Sequence, residues 1–235
     1  MLAKGTRMSA FGVRTAVVSL GVSCQTAWQI DRHVDLLSSL TGEALVRSSS
    51  PFDWLIMPPR SFAGWMGARG GFPDSPDEIV VHPNFYWPRH DLHFWHEFTR
   101  DGVVALEDTF EQTRAKFARL LDRFSSLRDY RRCLFFVSNT QSNLDEVTRV
   151  SPRMNFHFGR AAMAALTEAL SEAIGPAAEV HFVTGRDGSG ADPDPAFRIH
   201  RLDHDNPDVL GNDAAWADVF RRAIRPPALP DEAAA

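Results

Sequence analysis

Residues 16–25, with the sequence AVVSLGVSCQ, constrain the fold of this chain more than any other segment. Their first half is an apolar run that favours a β-strand, and their second half passes through Gly21 into a helical pattern that opens at Cys24. This order places Cys24 at the carboxyl end of a strand, where open α/β sheets form their sites. It also places Cys24 at a helix N-terminus, where free N–H groups and the helix dipole favour a thiolate. Cys24 is therefore a candidate nucleophile, with a small buried residue that packs the turn as the structural alternative.

The rest of the chain alternates between apolar β-prone runs and amphipathic segments. Further strands are predicted at 133–137, 180–184 and 197–202, and helices at 26–40, 106–127, 158–174 and 216–224. Strands that alternate with helices favour a parallel sheet with right-handed crossovers. The predicted fold class is α/β: a Rossmann/flavodoxin-like open parallel sheet of about four to five strands flanked by helices.

The chain is predicted to form a single α/β domain over residues 15–225. Residues 1–14 are interpreted as a disordered leader, and residues 226–235 as a disordered Pro/Ala-rich tail. Residues 70–101 form a loop-rich, aromatic excursion from the α/β core that contains four histidines. Long loops often carry function, so one of these histidines is a candidate catalytic group.

Composition excludes several classes of protein. The net charge of −5 and the pI near 6.0 argue against a nucleic-acid-binding surface, which needs clustered lysine and arginine. No apolar run approaches the length of a membrane span. The two cysteines, Cys24 and Cys133, make neither a disulfide framework nor a zinc site, which favours a cytoplasmic location. The alternative is a bacterial lipoprotein signal, in which basic residues and a short apolar run precede a lipidated Cys24.

Polar residues follow each predicted strand, and a parallel sheet brings such strand ends to one edge. These residues are Cys24, Asn139, Arg186 and His204. A thiolate needs a base within hydrogen-bond reach, and both His204 and His96, in the aromatic excursion, are candidates. Asn139 is a candidate donor to an oxyanion, as are Gly21 and the N–H groups that follow it. The residues predicted to contact a bound ligand are Gly21, Ser23, Gln25 and Arg186.

Residues 48–59, SSSPFDWLIMPP, form a loop that is too apolar to be solvated, so it should fold inward and carry Asp53 with it. A buried carboxyl group needs partners, and Asp53 either orients a catalytic histidine or caps the helix after Pro59. His93, His96 and Glu97 do not have the spacing of a metal-binding motif, so no metal is predicted.

Several motifs resemble a bacterial family of unknown function labelled papain-like cysteine peptidases. They are SLGVSCQTAWQI, SPFDWL, WHEF, TRAKFARLLDRF, CLFFV and GNDAAWADVF, spread over residues 16–224. The resemblance implies that Cys24, Asp53 and His96 form the functional set. This chain has Ser23 where the family often has asparagine, and Glu97 where aspartate is usual.

The element GVSCQ is also similar to the Gly-Asn-Cys-Gln of a capsule-polysaccharide biosynthesis family associated with coenzyme A. That resemblance implies acyl transfer as much as peptide hydrolysis, with coenzyme A as a candidate acyl donor and no resident cofactor. The predicted function is therefore a cysteine-nucleophile acyl-transfer enzyme, either a hydrolase or an acyltransferase, that acts on a small-molecule or peptide acyl substrate. One alternative is a non-catalytic protein that binds a nucleotide or sugar. Another is a phosphate-ligand transferase that uses the basic face of helix 106–127 and Arg186. The sequence leaves the oligomeric state open.

Overall fold

The computed structural model describes residues 14–45, 49–68, 71–81, 85–150, 153–203 and 208–224, without the side chains of residues 149 and 150. The strands are β1 (Thr15–Ser19), β2 (Leu55–Ile56), β3 (Tyr86–Trp87), β4 (Leu92–Phe94), β5 (Thr99–Arg100), β6 (Val103–Val104), β7 (Arg132–Ser138), β8 (Ala178–Thr184) and β9 (Arg198–Arg201). The helices are α1 (Gln25–Arg32), α2 (Val34–Thr41), α3 (Pro59–Gly67), α4 (Leu106–Ser125), α5 (Leu144–Val150), α6 (Arg160–Ile174) and α7 (Asp213–Ala223). Two short 3₁₀ turns lie at Pro76–Glu78 and Ser126–Asp129. The predicted leader, apart from its last residue, and the predicted tail lie outside the described residues, as does His204.

The centre of the fold is a parallel sheet with the strand order β1-β7-β8-β9. This confirms the predicted open α/β sheet. Strand β7 runs through the middle, and residues 133–137 within it are fully buried, which explains their continuous apolar sequence. Because β1, β7 and β8 are parallel, their carboxyl ends point the same way, and the segments that follow them meet at one edge of the sheet.

Alternate residues of the sheet pack into two separate cores. On one face, Phe135 and Phe182 lie in a cluster with residues of α4 and α6. On the other face, Phe136 packs edge-on against Phe220 of α7, with ring centroids 5.1 Å apart. Each fully buried aromatic side chain contributes roughly 1.5–3 kcal/mol, so the two cores hold the sheet rigidly between its helices.

The aromatic excursion contains short strands that pair in two small sheets, together with β2 before it and β6 after it. Strands β2, β4 and β3 make an antiparallel sheet, and β5 and β6 form a hairpin. Phe94 and Phe98 of this region are buried and lie in the same core cluster as helix α4. The strands are only two or three residues long, so their sequence periodicity is too short to indicate them.

The predicted helix 26–40 is broken into α1 and α2 at His33. The His33 N–H donates to the carbonyls of both Gln29 and Ile30, and its Nδ1 lies 2.8 Å from the Gln29 oxygen. A side chain that competes for a helical carbonyl favours such a break. In the described part of the chain, no helix has the length and apolar character needed to cross a membrane.

Candidate functional site

The turn between β1 and α1 brings Cys24 to the edge of the sheet, as predicted from the strand–glycine–helix pattern. Gly21 and Val22 both adopt left-handed backbone conformations, with φ of 74° and 66°. A Cβ atom on Gly21 would lie 2.9 Å from the carbonyl oxygen of Phe52, so the two backbones are in close contact there. Cys24 then occupies the N-cap position of α1.

The Cys24 thiol is a hydrogen-bond donor in this structure. Its Sγ donates to Oε1 of Gln141 at 3.4 Å, and the backbone N–H of Gln25 donates to the same oxygen at 3.3 Å. Burial raises the pKa of Cys24 above its ordinary value, so the group is a neutral thiol at neutral pH. An amide carbonyl oxygen therefore lies between the sulfur and the first N–H group of the helix.

The residues flanking Cys24 face inward. Gly21, Ser23 and Gln25 are buried, and the Gln25 side chain links two loops. Its Nε2 donates to the Val209 carbonyl at 3.0 Å, and its Oε1 accepts from the hydroxyl of Thr140. These residues therefore lie inside the fold and do not line an open surface. The backbone N–H of Gln25 donates to Oε1 of Gln141, the same oxygen that accepts from the Cys24 thiol.

Asn139, the predicted oxyanion donor, holds two loops together. Its Nδ2 donates to the carbonyl oxygens of Phe156 at 3.0 Å and Gly190 at 2.8 Å, which engages both amide hydrogens. Its side chain therefore has no hydrogen left for an oxyanion in this conformation. The backbone N–H of Gln25 takes over as the candidate donor.

Asp53 is buried and closes its own loop. Its Oδ2 accepts from the N–H of Ser50 at 2.9 Å, while the Ser50 hydroxyl accepts from the N–H of Phe52 at 3.2 Å. The alternative role as a helix cap is wrong, because the N-cap of α3 is Pro58 and no side chain caps that helix. Asp53 instead shapes the segment that carries Trp54.

His96 lies just after β4, on the surface. The Trp54 ring packs edge-on against its imidazole, with centroids 5.5 Å apart. Partial burial lowers the pKa of His96, and the charge of Lys116 lowers it further against the opposing effect of Glu97. His96 is therefore a neutral imidazole at neutral pH, which is the form a general base requires.

A chain of contacts links the three predicted elements. The segment 50–56 meets Gly21 through Phe52, pairs with β4 at Leu55↔Phe94, and reaches His96 through Trp54. Successive contacts through the segment 50–56 thus link the turn before Cys24 to His96. Among the described residues, however, the hydrogen-bond partner of the Cys24 sulfur is Gln141 and not a histidine.

Asn139 and Arg186 meet at a polar cleft of about 350 Å³ at the carboxyl edge of the sheet. Its walls come from the segments after β7 and β8 and include Thr140, Gln141 and Thr184. Arg186 is exposed on this cleft, and an adjoining cleft of about 450 Å³ shares Asn139 with it. Gln141 lines the cleft and contacts Cys24, so it connects the thiol to this space.

Gln141 and Trp54 are the residues that sequence reasoning missed. Gln141 stands three residues after the end of β7, so a search of all polar side chains beyond the strand ends would have included it. Trp54 lies beside Asp53, but no pattern in the sequence indicates that its ring contacts His96. Within the described residues, no group of three His, Cys, Asp or Glu side chains is arranged to hold a metal ion.

Comparison with known proteins gives no match: no protein-family model, curated protein or solved structure is significantly similar to this chain. The resemblance to papain-like cysteine peptidases and to the capsule-polysaccharide family therefore stays a prediction.

Proposed function

We propose that this protein is a cysteine-dependent acyl-transfer enzyme with Cys24 as the nucleophile. The observation that carries the proposal is the position of the Gln141 side chain. Its amide carbonyl oxygen accepts from both the Cys24 thiol and the Gln25 N–H. An acyl substrate that replaced this amide would have its carbonyl beside the sulfur, with the oxygen on a helix N-terminal N–H group.

His96 is the proposed base. It is neutral at neutral pH, and the segment 50–56 links it to the turn before Cys24. Catalytic hydrogen bonds are often long or poorly aligned before substrate binds, and the proposal requires that the thiol proton pass to the imidazole in the complex. Trp54 positions the ring, and the buried loop of Asp53 holds Trp54 in place.

The reaction follows from these roles. The Cys24 sulfur gives its proton to His96 and attacks the acyl carbon, and the Gln25 N–H stabilises the resulting oxyanion. The leaving group departs with the proton from His96, which leaves a thioester on Cys24. Water then releases the acid in a hydrolase, or an acceptor nucleophile takes the acyl group in an acyltransferase. When the donor is a coenzyme A thioester, Arg186, which is exposed on the 350 Å³ cleft that Gln141 also lines, is a candidate partner for its phosphates.

Selective alkylation tests the assignment of the thiol and its base. Iodoacetamide should modify Cys24 at least about tenfold faster than Cys133, which is fully buried and has a pKa raised to about 12. His96→Gln should slow the reaction at Cys24 near neutral pH. The matched control is His157→Gln, which removes a histidine paired with Asp192 instead. Equal, slow labelling of both cysteines, or equal effects of the two histidine variants, would count against the proposal.

A second candidate, a binding protein for a nucleotide or sugar, is favoured by one observation. The cleft of about 350 Å³ at the carboxyl edge of the sheet is polar and carries the exposed cation Arg186. Thermal stabilisation by a nucleotide or a nucleotide sugar that survives Cys24→Ala and is lost in Arg186→Gln would support this function. Stabilisation lost in Cys24→Ala would argue for the thiol site instead.

A further inference from the structure

A separate pocket of about 300 Å³ lies beside His96, between the segment 96–99 and helix α4. Its walls carry charged and polar side chains, among them Thr113, Lys116 and Arg119. This pocket is distinct from the clefts at the sheet edge, since it has no lining residue in common with them. Because His96 lines it, a ligand bound there lies beside the proposed base.

The electrostatic balance of the pocket is positive. The ammonium of Lys116 lies 2.5 Å from a carboxylate oxygen of Glu97, whose side chain is only 11% exposed, so these two charges compensate each other. Arg119 stands three residues further along α4, on the same side of the helix, and is exposed. Among the described residues it has no ion-pair partner, so its guanidinium is available to an anion.

A buried hydroxyl adds a hydrogen-bonding group to the same wall. Thr113 is only 5% exposed, lines the pocket, and makes no side-chain hydrogen bond to any described residue. The neighbouring Thr109 hydroxyl, by contrast, donates to the Ala105 carbonyl. The Thr113 oxygen is not one of the enclosed polar atoms that lack a partner, so it stays open to the pocket and can bond a ligand there.

We infer that this pocket is a subsite for an oxyanionic group, a carboxylate or a phosphate, on the substrate of the proposed enzyme. The inference rests on the proposed function for its link to catalysis, and on the pocket alone for the binding itself. Arg119 pairs with the oxyanion, and the Thr113 hydroxyl donates to it. Lys116, held by Glu97, adds its remaining N–H groups. The substrate would then be anchored by its anionic end next to His96.

An NMR titration of the His96 imidazole tests this subsite without requiring turnover. An anion in the pocket stabilises the imidazolium form, so saturating inorganic phosphate or acetate should raise the pKa of His96 by about half a unit or more. A response to phosphate alone indicates a phosphate-bearing substrate, and a response to acetate as well indicates a carboxylate. Arg119→Gln should weaken the binding of the effective anion about tenfold.

The matched control is Arg123→Gln, which removes an exposed arginine of the same helix that does not line the pocket. It should leave the titration unchanged. The inference is overturned if His96 does not respond, if Arg119→Gln and Arg123→Gln behave alike, or if all exposed histidines shift equally through ionic screening.

Failure of the subsite and failure of the proposed enzyme can be told apart. Cys24→Ser should bind the anion as the wild type does, because the pocket does not contain Cys24. If the anion does not bind but Cys24 is still alkylated selectively with a dependence on His96, only the subsite is wrong. If the anion binds but Cys24 shows no such reactivity, the subsite stands as a binding site and the enzymatic role falls.

Discussion

The edge that carries Cys24 and the pocket that contains His96 are built in opposite ways. At the Cys24 edge, neutral amides from distant segments hold the turn, with Gln25, Asn139 and Gln141 bonded to loops far along the chain. At the His96 pocket, charges dominate, and residues 96–99 face the single helix α4. At the Cys24 edge, hydrogen bonds hold the turn and burial raises the pKa of the thiol, so the sulfur keeps its proton. The neutral imidazole lies in the other region, beside Glu97, Lys116 and Arg119. Among the described residues, the segment 50–56 contacts both regions, through Phe52 at Gly21 and through Trp54 at His96.

The largest expected effect comes from removing the sulfur. Cys24→Ser should lower acyl-enzyme formation and turnover of a chromogenic ester or thioester by about three orders of magnitude or more, because a serine hydroxyl is far less acidic than a thiol. Stopped-flow absorbance and intact-protein mass spectrometry measure these steps. Cys133→Ala should reduce stability and leave acyl-enzyme formation intact. Similar activity in wild type and Cys24→Ser would remove the Cys24 edge from the chemistry.

The pH dependence of stability separates structural histidines from His96. His181 and His200 lie in contact, with His181 Nδ1 3.0 Å from His200 Nε2, and burial lowers their pKa values to about 3 and about 4. Both pKa values lie below the unfolded value of about 6.5. Above that pH the histidines are neutral in both states and the fold keeps its full stability, whereas at lower pH the unfolded chain binds protons that the folded protein does not. This stability, of a few kcal/mol, should be lost as the pH falls from about 6.5 toward 4.

Urea denaturation at about pH 7 and pH 5 measures this loss. The double variant His181→Phe/His200→Gln should flatten the dependence, and His96→Gln should not. An unchanged slope in the double variant would contradict the buried pair as its cause. In this double variant, the buried histidine pair no longer changes the stability with pH. A change in the rate of Cys24 alkylation between about pH 6 and 8 is then due to the titration of groups at the site.

Weakening the contact between Gly21 and Phe52, which joins the Cys24 turn to the segment 50–56, should have a smaller effect, on the free energy of unfolding. Gly21→Ala places a Cβ atom 2.9 Å from the Phe52 carbonyl oxygen at a backbone φ of 74°, so it should destabilise the fold by about 2–3 kcal/mol. Gly42→Ala is the matched control, because Gly42 has a similar φ of 70° with nothing within 4 Å. Its cost should be about 1 kcal/mol, that of the backbone conformation alone. Equal losses in chemical denaturation would show that the contact with Phe52 is loose.

The smallest expected effect comes from removing Gln141, whose Oε1 accepts the hydrogen bond from the Cys24 thiol. Gln141→Ala removes the oxygen that binds both the Cys24 thiol and the Gln25 N–H, which opens the N-terminus of α1. Iodoacetamide should then react with Cys24 about three- to tenfold faster, since access increases and the helix N–H group can stabilise the thiolate. Asn143→Ala, which changes only a neighbour of Gln141, is the control. Slower alkylation in Gln141→Ala would mean that the amide activates the sulfur instead of covering it.

Much of the architecture was readable from the sequence, and much of the site was not. The strands 133–137 and 180–184 were predicted within one or two residues, because buried parallel strands have continuous apolar sequences. The short antiparallel sheet β2-β4-β3 was not predicted, since strands of two or three residues have no period. The break at His33 was missed because it depends on a side chain that competes for a backbone carbonyl.

For the site residues, the sequence predicted their position at the sheet edge but not their hydrogen-bond partners. Cys24, Asn139 and Arg186 were placed at one edge by the rule that parallel strands end together, and the structure brings Asn139 and Arg186 to one cleft. The hydrogen bonds of Asn139 to Phe156 and Gly190 depend on loops that no local pattern places together.

By itself, the sequence determined the parallel sheet and the position of Cys24 at a strand end and a helix start. Both follow from local preferences, namely hydrophobic periodicity and a glycine that permits a left-handed turn. Only the tertiary structure decided that the sulfur meets Gln141, that Trp54 packs on His96, and that Arg119 faces a pocket beside that histidine. These contacts join residues tens to more than a hundred positions apart, and close packing of the whole chain selects them.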